Sequence, residues 1–222
     1  MALTPSTSRP RGRPRGFDDT TALEAAMRVF WARGYDQAPV DMLCRATNMP
    51  RTSLYNLFGD KEGLFLASVA HYARTRMRPV IEALGPNGTL AEDMAAFFAQ
   101  VVHLACSDSD TPGCMISSVL SDAAVTTAGF RAERDRRLDA LEARLAARLT
   151  QDGWPNDGAC PVSVAAALAA AMARGIVARA RSGQGADMLL PVGHAAVAAL
   201  MALRGTTGDA TQGRDRIVCD DV

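Results

Sequence analysis

The sequence predicts an all-α fold, and three observations lead to that prediction. Apolar residues recur at spacings of three and four through almost every patterned segment. No run of alternating β-branched residues is long enough to predict a strand. Gly, Pro and polar clusters separate the patterned segments as they separate helices. We therefore expect about nine helices, arranged as an N-terminal three-helix domain and a C-terminal helical domain.

The first three predicted helices are short and lie within residues 17–65. The first begins near Asp19, where Asp and Thr side chains can cap free N–H groups, and it ends before Gly34. The second follows Pro39 and ends near Asn48. The third begins at Pro50, because proline suits a first helical turn, and Gly59 ends it.

Six further helices are predicted in residues 66–204. The fourth helix is capped by Asp60 and continues to about Leu84, which joins the N-terminal domain to the rest of the chain. The sequence GPNG and the polar segment SDSDTPG then separate the next two helices. The fifth helix is predicted to span about residues 90–105, and the sixth to start near residue 114. The last three are predicted at about residues 130–150, 162–181 and 191–204.

Composition sets limits on the class of protein. The chain has 222 residues, 48% of them hydrophobic, and a formal net charge of zero, so any claim of DNA binding must rest on local charge. No apolar core of a signal peptide is visible near the N-terminus, and the longest apolar run, residues 162–173, is too short to span a membrane. Five widely spaced cysteines do not suggest a disulfide framework. We expect a cytoplasmic protein with no membrane segment.

Residues 1–16 form a predicted disordered, basic arm. Arg9, Arg11, Arg13 and Arg15 alternate with Pro and Gly and precede the first acidic residue. Extended arginine-rich peptides bind narrow A·T minor grooves, so we expect Arg11, Arg13 and Arg15 to contact DNA. A solvated tail is the alternative. The polar residues 205–222 are predicted to be a second disordered segment.

The second and third helices together predict a helix-turn-helix. The turn between them needs a residue that tolerates a positive φ, and Asn48 is such a residue. If Leu54, Leu57 and Phe58 face inward, polar side chains are left outward on the third helix. These outward residues, which are suited to contacts with bases and phosphates, are Arg51, Thr52, Tyr55 and Asn56.

Residues 17–65 resemble the DNA-binding domain of the TetR family of bacterial transcriptional regulators. The most specific part of the resemblance is SLYNLFGDKEGLF. It implies that Arg51, Thr52, Tyr55 and Asn56 contact bases or adjacent phosphates, and that Ser53 and Lys61 contact phosphates. Two departures are visible: Ala38-Pro39 replaces a Thr-Ser pair, which removes a capping hydroxyl, and Asn48 replaces a turn glycine. The resemblance also implies a C-terminal domain for effector binding and dimerisation.

Candidate effector or sensor residues lie in the predicted C-terminal domain: Phe97, Phe98, His103, Cys106, Cys114, Met115 and Met172. The Phe and Met residues would line an apolar cavity, although the same spacing is typical of a core. His103, Cys106 and Cys114 are too few to predict a metal site. Cys114 would begin the sixth helix, where the helix dipole favours a thiolate. We predict no metal and no cofactor.

These features predict a homodimeric repressor that binds a palindromic operator in double-stranded DNA. A small-molecule effector of unknown identity is expected to release the repressor from the operator. The two last helices are predicted to form the dimer interface, because they contain small residues that permit close approach of helices. No catalytic residue is predicted. The alternatives are a regulator that senses oxidants or electrophiles through Cys114 and Cys106, a thiol-based enzyme, and a non-specific DNA-coating protein.

Overall fold

The structure is a computed structural model that describes residues 19–206, and within this range the chain is helical and has no strand. Its ten α-helices are α1 Asp19–Arg33, α2 Val40–Thr47, α3 Arg51–Phe58, α4 Lys61–Thr75, α5 Arg78–Glu82, α6 Leu90–Cys106, α7 Ser121–Ala123, α8 Ala128–Gln151, α9 Val162–Arg181 and α10 Ala186–Thr206. A π-helical turn, Ile116–Leu120, leads into α7. The all-α prediction is confirmed.

The N-terminal domain has its own apolar core. Met27 and Phe30 of α1 are fully buried, as are Leu43 of α2 and Leu54 of α3. Phe65 of α4 closes this core by packing edge to face on Phe30, with ring centroids 5.0 Å apart. α4 therefore belongs structurally to the N-terminal domain as well as leading out of it.

The fourth helix is shorter than predicted. It ends at Thr75, and the separate helix α5 begins at Arg78. The physical reason is Pro79, whose ring conflicts with the carbonyl four residues earlier, at Thr75, and which has no N–H to donate. The prediction of one continuous helix to Leu84 was therefore wrong.

Two other boundaries differ from the prediction. The sixth helix is a π-helical turn that starts at Ile116, so Cys114 lies just before it. The last helix begins at Ala186, with Pro191 inside it, and runs to Thr206. Because Pro191 is the sixth residue of α10, its missing N–H removes one early hydrogen bond, and the helix tolerates this loss.

The C-terminal domain packs α6 against α9 and α10, and α8 against α9. A buried ion pair fixes the loop before α6: Arg148 Nε of α8 lies 2.8 Å from Asp93 Oδ2 of α6. Asp93 also accepts the backbone N–H groups of Asn87 and Gly88. A buried pair of this kind needs its extra hydrogen bonds to offset desolvation, and these contacts provide them.

An aromatic cluster joins the two domains. Phe130 of α8 packs on Phe65 of α4 and on Tyr35, which follows α1, with ring centroids 4.9 Å apart in both pairs. A side chain of the C-terminal domain thus lies against the core of the helix-turn-helix domain. α8 is therefore in direct contact with residues next to α1 and α4.

The helices α9 and α10 are long and apolar enough, by length and composition alone, to cross a membrane. A core helix passes the same test, and α9 packs against α6, α8 and α10. Its residues Ala166, Ala169, Ala170 and Ala173, predicted to face a second chain, are buried within this chain. The exposed small residues include Ala171, Gly175 and Ala178 of α9 and Ala195, Ala198, Ala199 and Ala202 of α10.

Candidate nucleic-acid interface

The turn between α2 and α3 has the geometry of a helix-turn-helix. Asn48 adopts the left-handed conformation, with φ 54° and ψ 32°, as the sequence predicts. The N–H of Met49 then donates to the carbonyl of Cys44 at 3.1 Å, which closes the end of α2. Pro39 precedes α2 and makes no side-chain capping bond, which agrees with the expected loss of a hydroxyl cap.

The helix α3 presents a polar face to solvent. Leu54 is fully buried, whereas Arg51, Thr52 and Asn56 are exposed. Ser53 and Tyr55 are half-buried, so their polar atoms lie at the edge of this face. Of the residues predicted to face outward on α3, Arg51, Thr52 and Asn56 are therefore exposed, and their contacts with DNA stay a prediction.

The prediction that Leu57 of α3 faces the core was wrong. Leu57 is 37% exposed, although the sequence pattern assigns it to the core. On a helix, position 57 lies 60° from position 54, at the margin of the buried face, whereas Phe58 lies about 40° from position 54 on the other side and packs against the core. Leu57 therefore adds an apolar contact surface beside Asn56.

The exposed arginine of α3 is held by its neighbouring helix. Arg51 Nη2 donates to Asp41 Oδ1 of α2 at 2.9 Å. Both side chains are more than half exposed, so the pair contributes little to stability. It does fix the direction of a guanidinium at the start of the candidate DNA-reading helix.

The α3–α4 junction is unusually tight, and Gly63 makes it possible. Asp60 accepts the N–H of Gly63 at 2.8 Å and so caps α4. A Cβ atom on Gly63 would lie 2.0 Å from the carbonyl oxygen of Phe58. No other residue fits there without a backbone shift, which explains the glycine in the sequence KEGLF. This junction places Lys61 in the first turn of α4.

Lys61 lies over an aromatic ring. Its Nζ atom is 4.4 Å from the ring centroid of Tyr35, a cation–π distance. Partial burial lowers the pKa of Lys61, and the nearby carboxylate of Asp36 acts in the opposite direction. Burial, together with Glu62, Asp60 and Asp36, raises the pKa of Tyr35. Lys61 is thus a positioned cation at the N-terminus of a helix, where anions are favoured.

The arm residues Arg11, Arg13 and Arg15 lie outside the described residues, so their contribution stays a prediction. Among the described residues, the predicted contacts with DNA are therefore those of Arg51, Thr52, Asn56 and Lys61. Ser53 and Tyr55 lie at the margin of this set.

The candidate effector residues do not form one site. Phe97 and Cys114 line the same apolar cavity, which has a volume of about 30 Å³, enough for one or two water molecules. Phe98 and Met115 are buried core residues, and Met172 is half-buried. His103 is exposed. In this conformation, the cavity that Phe97 and Cys114 line is therefore too small for an organic effector.

The cysteines are not arranged as reactive thiols in the described part of the chain. Cys114 is buried. Cys106 is half-buried, with its Sγ atom 3.8 Å from the carbonyl oxygen of Gln184. Burial, and then the carboxylate of Asp187, raise the pKa of Cys106. Among residues 19–206 no group of three or more His, Cys, Asp or Glu side chains could hold a metal ion.

Sequence reasoning missed a larger pocket, which we call the α1–α6 pocket. It has a volume of about 400 Å³. Its walls are Met27, Arg28 and Trp31 of α1, Arg76 after α4, Leu104 of α6 and the loop of residues 107–111. No sequence signal identifies it, because its residues come from three separate segments of the chain, residues 27–31, Arg76 and residues 104–111.

A charged cluster lies at one side of this pocket. The Glu24 carboxylate of α1 accepts hydrogen bonds from Arg76, from Arg28 and from His71 of α4, the last at 3.0 Å. Burial acts to raise the pKa of Glu24, but the His71 hydrogen bond and the Arg76 charge outweigh it and lower that pKa. Arg28 also lies 3.5 Å from Asp108 in the loop. The cluster joins α1 to α4 and to the loop after α6.

Comparison with known proteins supports the interpretation of the N-terminal domain. Residues 22–68 match the family model of bacterial regulatory proteins, tetR family. The transcriptional repressor ComR of Escherichia coli K12 is 31% identical over 114 residues, 51% of this chain and 54% of that protein. BdcR, a repressor of the same organism, is 28% identical over 114 residues, which cover 51% of this chain and 58% of BdcR. The chain spans about half the length of these curated relatives.

Solved structures extend the similarity to most of the chain. A cysteine-substituted form of the TetR family regulator CifR, in complex with 26-bp double-strand operator DNA, is 29% identical and has a TM-score of 0.77, covering 85% of this chain and 99% of that chain. SCO4454 of Streptomyces coelicolor, a TetR-family regulator, has a TM-score of 0.69 over 85% of this chain and 89% of that chain. Its identity is 16%, so this second similarity shows the fold alone.

Proposed function

We propose that this chain, a helix-turn-helix protein of the TetR family, is a cytoplasmic transcriptional repressor that binds a palindromic operator as a homodimer and is released by a small-molecule effector. One observation carries the proposal: the left-handed turn at Asn48 leaves Arg51, Thr52 and Asn56 exposed on α3. A recognition helix in such a motif enters the major groove. The similarity to a regulator solved with operator DNA supports the same function.

A footprinting experiment tests DNA binding. Genomic fragments selected by the purified chain should contain a short palindrome, and the protected region should show two half-sites about 34–36 Å apart, one helical turn of DNA. Continuous protection along any DNA would contradict the proposal and favour a non-specific DNA-coating protein. Absence of all DNA binding would favour a function of another class, such as a thiol-based enzyme.

The proposed dimer interface is the exposed face of α9 and α10. In a single chain, Ala195, Ala198, Ala199 and Ala202 of α10 are exposed to solvent, as are Ala171 and Gly175 of α9. Small residues let helices of two chains approach closely, and a second copy would complete a four-helix bundle. The apolar composition of α10 is explained by this interface without a membrane.

Analytical ultracentrifugation tests the dimer. The wild-type chain should sediment as a dimer, and Ala199→Glu should shift it toward the monomer because the carboxylate would be buried between the chains. Ala143→Glu on the exposed face of α8 is a matched control that should leave the dimer intact. A wild-type monomer at micromolar concentration would contradict this interface.

The proposed release mechanism depends on contacts between the domains. Phe130 of α8 packs on Phe65 of α4, and the Glu24 cluster joins α1 to the end of α4 and, through Arg28 and Asp108, to the loop after α6. A shift in the C-terminal domain would therefore change the spacing of the two α3 helices in the dimer. Simultaneous docking in successive major grooves needs that spacing, so a small shift would weaken binding.

The thiol-sensing alternative has less support. The raised pKa of Cys106 keeps its thiol protonated at neutral pH, and Cys114 is buried. A reactive sensor cysteine is instead accessible and has a lowered pKa. We therefore propose a conventional small-molecule effector.

A further inference from the structure

The α1–α6 pocket has the size of a small-molecule site. Its volume of about 400 Å³ falls within the range of about 300–1,000 Å³ that is usual for ligand pockets. The apolar cavity beside Phe97 has only about 30 Å³. In this conformation, the α1–α6 pocket is therefore large enough for an organic molecule, whereas the apolar cavity is not.

Hydrogen-bond donors dominate the polar part of the pocket. Arg28 and Arg76 both face it, and each guanidinium has five N–H groups. Both guanidinium groups pair with the Glu24 carboxylate, and that of Arg28 also pairs with Asp108. Since guanidinium groups bind carboxylates in a bidentate manner, unused N–H groups remain for an anionic ligand.

A buried donor beside the pocket has no acceptor. The indole Nε1 of Trp31 is covered by protein and makes no hydrogen bond among the described residues. Trp31 is 8% exposed and forms part of the pocket wall. Buried polar groups without a partner are rare, because the lost hydration is not replaced. A hydrogen-bond acceptor on a ligand in the pocket would replace that hydration if it reached this N–H.

On the side of α1 and α6 the wall is apolar, whereas the loop contributes the polar side chains Ser107, Asp108, Ser109 and Thr111. Met27 is fully buried, Leu104 is nearly so, and the ring of Trp31 packs at 85° to the ring of Tyr72. A flat apolar group fits against these side chains while its charged end faces the arginines. We propose that the α1–α6 pocket binds a small organic carboxylate with a flat apolar body, and that this molecule acts as the effector.

The location explains how such a ligand would act. A carboxylate at Arg28 and Arg76 competes with Asp108 and Glu24, whose ion pairs hold α1 to the loop after α6 and to the end of α4. Loss of these pairs would remove two of the contacts that hold α1 to the loop after α6 and to the end of α4. This inference rests on the proposed function, since an effector role requires that the chain bind an operator.

Calorimetry on the full wild-type chain, without DNA, tests the site. Benzoate is the probe, with neutral benzamide and inorganic phosphate as the comparison ligands. Benzoate should bind with one site per chain and a Kd of about 1 mM or tighter. Benzamide lacks the charge and phosphate lacks the apolar body, so each should bind at least tenfold more weakly. Benzoate should also change the fluorescence of Trp31.

Two variants locate the binding. Arg76→Ala should weaken benzoate binding at least tenfold, whereas Arg78→Ala should leave it unchanged, because Arg78 is exposed and pairs with Glu82 outside the pocket. Circular dichroism of both variants checks their folding. No saturable benzoate binding to the wild-type chain, equal binding of benzoate and benzamide, or equal binding by both folded variants would overturn the site.

A separate titration of operator binding tests the effector role. Benzoate should lower operator affinity in the wild-type chain and not in Arg76→Ala. If benzoate binds and operator affinity stays the same, the effector role is wrong. If the chain binds no operator at all, the proposed function fails, but the calorimetric result still decides whether the carboxylate site exists.

Discussion

Arg51 Nη2 donates to Asp41 Oδ1 at 2.9 Å, so the first residue of the candidate recognition helix is positioned by the helix before it. A free arginine would sample many rotamers and contact any nearby phosphate. A held guanidinium can address one base edge, most commonly that of guanine. The side chain of Asp41 is 73% exposed, and thus this carboxylate has a role in orientation rather than in stability.

Asp41→Ala is expected to relax sequence discrimination. Without its partner, Arg51 loses its fixed direction, so the penalty for changing its base pair should fall by up to about 1–3 kcal/mol. Removing a negative charge near phosphates should at the same time strengthen non-specific binding. The measurement is affinity for the operator and for single-base variants. A large change in the midpoint of unfolding of Asp41→Ala would show instead that the Arg51–Asp41 pair stabilises the fold.

Asn56→Ala should weaken operator binding by about 1–3 kcal/mol and leave the fold intact, because the side chain is exposed on α3. Tyr55 is half-buried, so Tyr55→Phe is the better test there, since it removes only the hydroxyl. Asn156→Ala, which removes an exposed asparagine far along the chain, is the matched control. Electrophoretic mobility shift titrations check the result. Equal affinity of the Asn56 and Asn156 variants would exclude Asn56 from the interface.

Lys61 can be tested by chemical labelling, because the chain has no other lysine. Operator DNA should protect its amine from an acylating reagent, while an added lysine-containing peptide that does not bind DNA serves as the reference. Lys61→Met should weaken binding to all sequences and reduce the slope of log affinity against log salt by roughly one unit. Lys61→Arg should keep most of that slope. Labelling that DNA does not change would place Lys61 away from the phosphates.

Deletion of residues 1–16 should lower operator affinity and reduce its salt dependence, because it removes four arginines. Preference for A·T pairs beside each half-site should also weaken. The dimer should persist, since the exposed face of α9 and α10 is unchanged. An unaltered salt slope would support the alternative that the arm is a solvated tail.

The alkylation of Cys106 should be slow at neutral pH. Its pKa is raised by burial and by Asp187, so the thiolate forms only above the pH at which an ordinary cysteine ionises. The rate with iodoacetamide should therefore rise at a higher pH than that of a model thiol. Asp187→Asn should move the profile back toward the model thiol. Rapid alkylation at pH 7 would instead revive the thiol-sensing alternative.

The sequence by itself determined the elements whose causes are local. Helix periodicity, the breaks at Gly34 and Gly59 and the left-handed turn at Asn48 are confirmed, because each depends on a few neighbouring residues and on backbone sterics. The polar face of α3 was predictable for the same reason: once Leu54 is buried, helical geometry places Thr52 and Asn56 outward.

Local patterns failed where two forces competed. The apolar periodicity of α4 continues past Thr75, but the sterics of Pro79 end the helix there. Leu57 has the spacing of a core residue, yet it lies at the margin of the buried face of α3 and is exposed. The alanines of α9 were assigned to a second chain, although α6, α8 and α10 of the same chain bury them.

Only the tertiary structure decided which distant residues meet. Phe130 contacts Tyr35, Arg51 contacts Asp41, and Trp31 and Arg76 border one pocket with the loop of residues 107–111. None of these pairings is encoded by spacing, because they depend on how whole helices pack. The sequence therefore predicted a surface on α3 for reading DNA, and the packing of the helices decided where the proposed effector pocket lies.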